Sequence, residues 1–369
     1  MNDALLVEGK RQLDICNSCR YCEGYCAVFP ALERRVDLTK ADMVQLANLC
    51  HDCRECFYAC MYAPPHDFGV NTPQLFSAIR REHADELSRF SVGLGRHERE
   101  PLRAGIVSTS IAFVVVLVIA AATVGLSGVW RAHTTAASPY GVIPYAAILI
   151  VGVASLGLGA ALMLWQARRF WRSIGEPITV SIKEVMRALR AAVMLENLTG
   201  GGEGCAYPSE EGSQLRRLAH TAVAWGFASC LVATISAAVL QDVVGDKPPY
   251  GWFSPPVILG TVGGIGLVVG SAVLANLKRR VDPAPQDARS VPRELGLLAA
   301  LVVLGIGGLA TLLLRTTPAY GITLILHLST VFACFVLAPF TKFMHGLYRA
   351  LSLVRDTQEV AIEHDALYT

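Results

Sequence analysis

Charge is scarce in this chain of 369 residues. Lys, Arg, Asp and Glu make up 17% of it, against 53% hydrophobic residues. Soluble domains carry about a quarter charged residues, so an ordinary soluble globule of this length is excluded. The deficit is local: residues 1–100 read as soluble, and residues 104–345 hold nearly all the long apolar runs. The opening residues, MNDALLVEGKRQLD, lack an apolar stretch with a cleavage site, so no secretory signal is expected. The cysteines are then expected to face a reducing compartment, where metal binding is favoured over disulfides. No glycine fingerprint for a dinucleotide is present, so a flavin would have to come from a partner. Acidic side chains are almost missing from the apolar runs, which argues against a transport pathway. The net charge of +2 gives no reason to expect nucleic acid.

Six apolar segments are long enough to cross a bilayer, which takes ~20 helical residues. They lie near 104–126, 141–165, 220–242, 254–277, 294–314 and 322–345. Backbone groups in lipid must bond within their own segment, so these are predicted helices. The loop 166–219 holds eight Lys and Arg residues and the loop 278–293 holds five. The opposite loops hold Arg131, Lys247 and Arg315 alone. Positive loops stay inside, so both termini and the first hundred residues are expected on the cytoplasmic side of a bacterial inner membrane. Within the first of these loops, Ile182, Val185, Met186, Leu189 and Val193 recur at helical spacing. They predict an amphipathic helix near 178–198, which lies on the membrane or supports the N-terminal domain, with simple packing the expected role.

Eight of the eleven cysteines fall between Cys16 and Cys60. Cys16, Cys19, Cys22 and Cys26 follow C-x2-C-x2-C-x3-C, and Cys50, Cys53, Cys56 and Cys60 repeat it. Three thiolates at this spacing wrap three corners of a cubane. In two-cluster ferredoxins the fourth cysteine of each run serves the other cluster. The expected sets are therefore Cys16, Cys19, Cys22 and Cys60 for one 4Fe-4S cluster, and Cys50, Cys53, Cys56 and Cys26 for the second. Zinc also uses C-x2-C pairs, but gains nothing from a third cysteine at the same spacing in both runs. Ala27 and Met61 stand where such runs usually carry proline. The stretch Thr39 to Leu49 looks helical, which favours a helical ferredoxin over a β-rich one.

Histidine within a span is costly and usually functional. His220 opens the third span, and His327 and His345 lie on the sixth. Eighteen residues of continuous helix would put the last two on one face, ~27 Å apart, with His327 near the outer surface. His220 and His345 fall at similar depth on different helices, as a bis-histidine haem requires. Arg217 and Lys342 are expected to meet its propionates. His327 has no histidine partner at its depth and is a candidate for a second haem. Cys230 and Cys334 read as small core residues, and His51 and His66 as solvated loop histidines. GGGEGCAYP reads as a tight turn that brings Cys205 before the third span.

The runs CNSCRYCEGYCAVFPALERR and LANLCHDCRECFYACMYAPPHDFGVN, with GGGEGCAYP, RRLAHTAVAWGF and PFTKFMH, resemble the tricarballylate or citrate utilization protein B family. The resemblance implies a partner FAD-dependent dehydrogenase that oxidises tricarballylate, with this chain reoxidising the flavin and reducing membrane quinone. The sixth span also resembles the cytochrome b subunit of respiratory nitrate reductase, where two similarly spaced histidines serve two haems. Those relatives carry two histidines on the earlier helix, where this chain has His220 alone. The expected architecture is mainly α: a helical double-cluster ferredoxin-like domain over 1–100 and a six-helix cytochrome b-like membrane bundle over 101–369. Two rival readings remain open on the residues alone. One is a quinol-oxidising subunit that feeds a cytoplasmic reductase, and the other a membrane sensor with zinc in the cysteine domain.

Overall fold

The computed structural model describes residues 1–88, 101–131, 138–175, 179–199 and 204–368. The boundary drawn at residue 100 and the glycines of GGGEG before Gly204 lie outside them. The fold is mainly helical. Helices α1 (Asp3–Cys19), α2 (Val28–Glu33), α3 (Lys40–Leu49), α4 (Glu55–Tyr58) and α5 (Thr72–Ser88) form the N-terminal unit. The side chain of Asn2 caps α1 by accepting from the Ala4 N–H at 3.1 Å. Thr39 and Asp42 close a reciprocal capping box on α3. Both cysteine runs share one backbone device. Arg20 follows Cys19 with φ 55°, and Arg54 follows Cys53 with φ 69°. A left-handed residue costs a non-glycine side chain energy, but here it turns the chain so that the third cysteine comes back toward the first two.

The membrane portion begins with α6 (Pro101–Thr123), a short α7 (Leu126–Val129) and α8 (Tyr145–Ser173). An outlying helix α9 (Ile182–Met194) and a two-residue hairpin, β1 (Cys205–Ala206) with β2 (Gly212–Ser213), precede α10 (Leu215–Val239). Then come α11 (Pro255–Arg280), α12 (Val291–Leu313), α13 (Tyr320–Leu337) and α14 (His345–Tyr368). Six of these helices, α6, α8, α10, α11, α12 and α13, are long and apolar enough to cross a bilayer. α10 and α11 meet backbone to backbone. A Cβ on Gly263 would stand 2.7 Å from the Gly226 carbonyl oxygen, and one on Gly226 2.9 Å from that of Gly263. Such close approach is the usual substitute for hydrophobic driving force in lipid.

The sixth span is shorter than its apolar run. α13 ends at Leu337, two 3₁₀ turns follow through Pro339 and Lys342, and His345 opens a separate helix. Pro339 has no N–H to continue the ladder. The Thr341 hydroxyl then accepts from the Phe343 N–H at 3.2 Å, which starts the chain in a new direction. The expectation of one helix over 322–345 is corrected accordingly. His327 on α13 and His345 at the start of α14 therefore do not share a helix face.

The N-terminal unit and the membrane portion share a core. Leu13, Leu46, Leu49, Phe76 and Ile79 of the first are continuous with Phe170, Ile174, Met344, Tyr348 and Leu353 of the second. Phe170 and Tyr348 stack at 4.5 Å between ring centres. Polar contacts seal the seam. Arg81 pairs with Asp287 at 2.8 Å, Arg293 with Asp85 at 2.8 Å, and Arg35 with Glu359 at 2.8 Å. Arg216, from the other arginine-rich loop, reaches the His51 carbonyl at 3.0 Å, so both loops lie on the side of the cysteine runs. α9 packs on α14 through Glu184 and Ala188. Its apolar residues Ile182, Met186, Leu189 and Val193 stay exposed, so the expected inward packing of that stripe is corrected. With Lys183, Arg187 and Arg190 beside it, this face has the pattern of a helix that lies in a membrane interface.

Candidate cofactor sites

All eleven cysteines are free thiols. Cys16, Cys19, Cys22 and Cys60 line one cavity, which Cys56 also borders. Cys26, Cys50, Cys53 and Cys56 line a second. The thiols stand around space and do not converge on a point: among the described residues no three Cys, His, Asp or Glu side chains form a single-ion site. Burial, reinforced by neighbouring cysteines, pushes the Cys16 thiol up to about 11 and the Cys22 and Cys26 thiols up to about 12. Thiols raised this far carry protons at neutral pH. Iron would have to displace them, so loading would depend on pH. Eight soft sulfur donors around two cavities suit iron–sulfur clusters.

The first cavity faces outward, with Tyr21 and Met61 exposed on its rim. The second is buried. Cys50 and Cys53 are almost fully covered, as are His51 and Arg54. His51 is therefore not a solvated loop residue. Its Nδ1 lies 2.9 Å from the Leu49 carbonyl, and burial pushes its imidazole well below the ordinary range. His66 is exposed, as expected.

Two arginines fasten the second run to α10 and α14. Arg216 on α10 donates to the His51 carbonyl at 3.0 Å and also to the Asp52 carbonyl. Arg349 on α14 donates to the carbonyls of Cys50 at 2.6 Å and Asn48 at 3.3 Å. Arg216 lies four residues before His220, and Arg349 four residues after His345. One helical turn therefore separates each clamp from each histidine. Sequence reasoning missed this pair, although the symmetry of RRLAH and HGLYR carries it. Arg54 adds a third tie, donating to the Asp282 carbonyl at 3.0 Å. Cys205 is fully buried beside Arg216, with Sγ 3.9 Å from its Nη1, and packs in one cluster with Cys53.

His220 and His345 meet. Their ring centres are 5.9 Å apart and their planes cross at 83°. Two imidazoles gripping one metal through bonds of ~2 Å would hold their centres ~6 Å apart, so the spacing suits a metal between them. His345 Nδ1 faces the Lys342 carbonyl, which fixes the tautomer that leaves Nε2 with its lone pair. Burial, then the His220 ring and the charges of Arg349 and Lys342, pushes its imidazole well below the usual value, so the ring is neutral. The buried Nδ1 of His220 has no partner. Phe227 and Phe343 lie at 5.1 Å from each other, on neighbouring turns of the same two segments. These features fit haem. The expected propionate partners do not stand ready: Arg217 donates to the Met194 carbonyl at 3.3 Å, and Lys342 pairs with Glu294. His345 instead borders a cavity of about 100 Å³ where Arg80 and Arg293 also project. His327 is not brought to another histidine. It stands apart in the bundle, and Cys230 and Cys334 are part-buried, free residues of the spans.

Two family profiles and one curated relative match the chain. The family profile described as citrate utilization protein B matches residues 100–366. The profile described as the citrate utilization protein B Fer4-like domain matches residues 9–86. The chain belongs to the citrate utilization protein B family. It is 37% identical to citrate utilization protein B of Escherichia coli over 351 residues, which covers 95% of this chain and 91% of the relative. No solved structure matches it. The Fer4-like match covers the N-terminal unit and the other match covers the membrane portion, the two parts that the shared core joins.

Proposed function

We propose that this protein is an iron–sulfur electron carrier of citrate or tricarballylate utilization. It accepts electrons from a cytoplasmic FAD-dependent dehydrogenase and delivers them to membrane quinone. Cys16, Cys19, Cys22 and Cys60 hold the outer 4Fe-4S cluster, and Cys50, Cys53, Cys56 and Cys26 hold the inner one. His220 and His345 hold one b-type haem, whose iron supplies one-electron chemistry at the membrane side. The chain's own residues supply the order. The outer cavity is open to a soluble partner, and the inner one is buried against the membrane helices. The observation that carries this reading is the double arginine clamp, because it ties the inner cysteine run to the two helices that bear the histidine pair.

The reading places both chain termini and the cluster unit on the cytoplasmic side of a bacterial inner membrane. The arginine and lysine excess of loops 166–219 and 278–293 supports that orientation. The test is reconstitution of the full chain in lipid with an added FAD-dependent tricarballylate dehydrogenase. Adding tricarballylate or citrate should reduce the iron–sulfur signals and then the haem, and electrons should reach added quinone. Oxidation of the organic acid by this chain alone would overturn the division of labour. Reduction of the clusters by quinol, with none by the flavoprotein, would favour the reverse direction.

A further inference from the structure

The sixth helix carries a histidine that the proposed electron path does not use. His327 stands near the middle of α13, beside a cavity of about 410 Å³ that opens between α10, α11, α12 and α13. The size falls in the range of small-molecule sites. Gly260 and Gly264 on α11, with Gly305 and Gly308 on α12, are among the residues that line it. The imidazole lies along the glycine face of α12. A Cβ on Gly307 would stand 3.3 Å from its Nδ1, and one on Gly308 3.1 Å from its Cε1. Nδ1 lies against Gly307 on α12, and the Leu304 carbonyl of the same helix is within reach of the ring. Nε2 lies toward Gly308, which lines the cavity, and can take one further hydrogen bond.

The other polar groups of the lining are already committed. Thr234 donates to the Cys230 carbonyl at 3.1 Å, and Thr261 to that of Val257 at 2.7 Å. Cys230 is turned toward α11, where a Cβ on Gly263 would meet its sulfur at 2.7 Å. No lysine or arginine is among the residues around the cavity. A haem there would lack both a second imidazole and any cation for its propionates. The required occupant is flat, largely apolar, uncharged and able to exchange one hydrogen bond with an imidazole. It must also enter from the bilayer, and Leu231 and Thr234 line the cavity while facing lipid on the outside of α10.

We infer that this cavity binds the ring of a membrane quinone, with His327 as its hydrogen-bond partner. The inference rests on the reading that electrons leave this chain for quinone, and it adds the place. Imidazole can donate to a quinone carbonyl or accept from a quinol hydroxyl, so one side chain serves both redox forms.

The test uses the purified full-length chain with its cofactors, and decylubiquinone as the probe. The variants are His327→Leu, which removes the polar partner, and Thr234→Trp, which blocks the mouth from the lipid side without entering the packed interior. Iron, sulfide and haem contents report that each variant is folded. The expected result is saturable binding of one decylubiquinone per chain, weakened at least tenfold in both variants with cofactor contents unchanged. Wild-type affinity in both variants would overturn the site and leave the proposed function standing if quinone were still reduced. A second haem lost in His327→Leu would also overturn it. A wild-type chain that neither binds nor reduces decylubiquinone would remove the proposed function together with the site.

Discussion

The two cysteine runs have the same spacing and the same left-handed arginine after their second cysteine, yet they sit in opposite surroundings. The first borders solvent, between Tyr21 and Met61. The second is covered, and its carbonyls are held by Arg216 and Arg349 from α10 and α14. A spacing motif specifies what kind of cofactor is bound. The surroundings specify which cofactor faces a soluble partner and which faces the membrane. The difference gives the molecule a direction that neither run has by itself.

The strongest way to break that comparison is to exchange a ligand between the runs. Cys60→Ser should remove the cluster built on Cys16, Cys19 and Cys22, and spare the one built on its own run. EPR of the reduced protein reads this directly, and loss of the inner cluster instead would refute the crossed assignment. Next comes the histidine pair. His220→Ala or His345→Ala should abolish the reduced haem bands and leave both iron–sulfur signals. His327→Ala should keep that haem.

A smaller effect is expected at the clamp. Arg349→Leu removes charged donors from the Asn48 carbonyl and from the Cys50 carbonyl, which keeps Arg80 at 3.3 Å, and should cost about 2 kcal/mol, since hydrogen bonds from charged donors are worth ~1.5–3 kcal/mol each. The EPR signal of the inner cluster should change and that of the outer one should not. Equal changes in both would mean that the clamp is only scaffolding.

The smallest expected effect concerns the seam between the two halves. His83 on α5 meets the Ser173 hydroxyl on α8 at 3.1 Å. Burial, then the charges of Lys40, the N-terminus and Arg169, pushes its imidazole down to about 4. The unfolded state therefore takes up the proton first. Stability is full above the ordinary histidine value of ~6.5, falls as pH drops toward 4, and is lower by about 2 kcal/mol at pH 5. Protease release of the N-terminal unit should rise over that window. His83→Phe should flatten the rise, and an unchanged profile in that variant would assign the acid sensitivity elsewhere.

Much of this was legible in the sequence because its signals are local. Runs of apolar residues predict the six spans, and the arginine-rich loops do lie together on the side of the cysteine runs. The meeting of His220 and His345 follows from depth on helices of opposite direction, even though the continuous sixth helix used to argue it does not exist. Pro339 was visible as a helix breaker, but the apolar run around it masked the break. The arginine clamps, the burial of His51 and the shared core were not legible, because they depend on contacts between residues more than a hundred positions apart. The outward-facing stripe of α9 was misjudged for a related reason. Periodicity shows that a face is apolar, not whether protein or lipid covers it.

The central claim is that eight cysteines and a histidine pair form one electron path. Optical and EPR spectra of the purified full-length protein, before and after dithionite, with iron and acid-labile sulfide analysis, test it most directly. The account predicts two interacting 4Fe-4S clusters and one bis-imidazole b-type haem per chain, all reduced by dithionite. Zinc in place of iron and sulfide, or an absence of haem bands from a fully metallated protein, would contradict it.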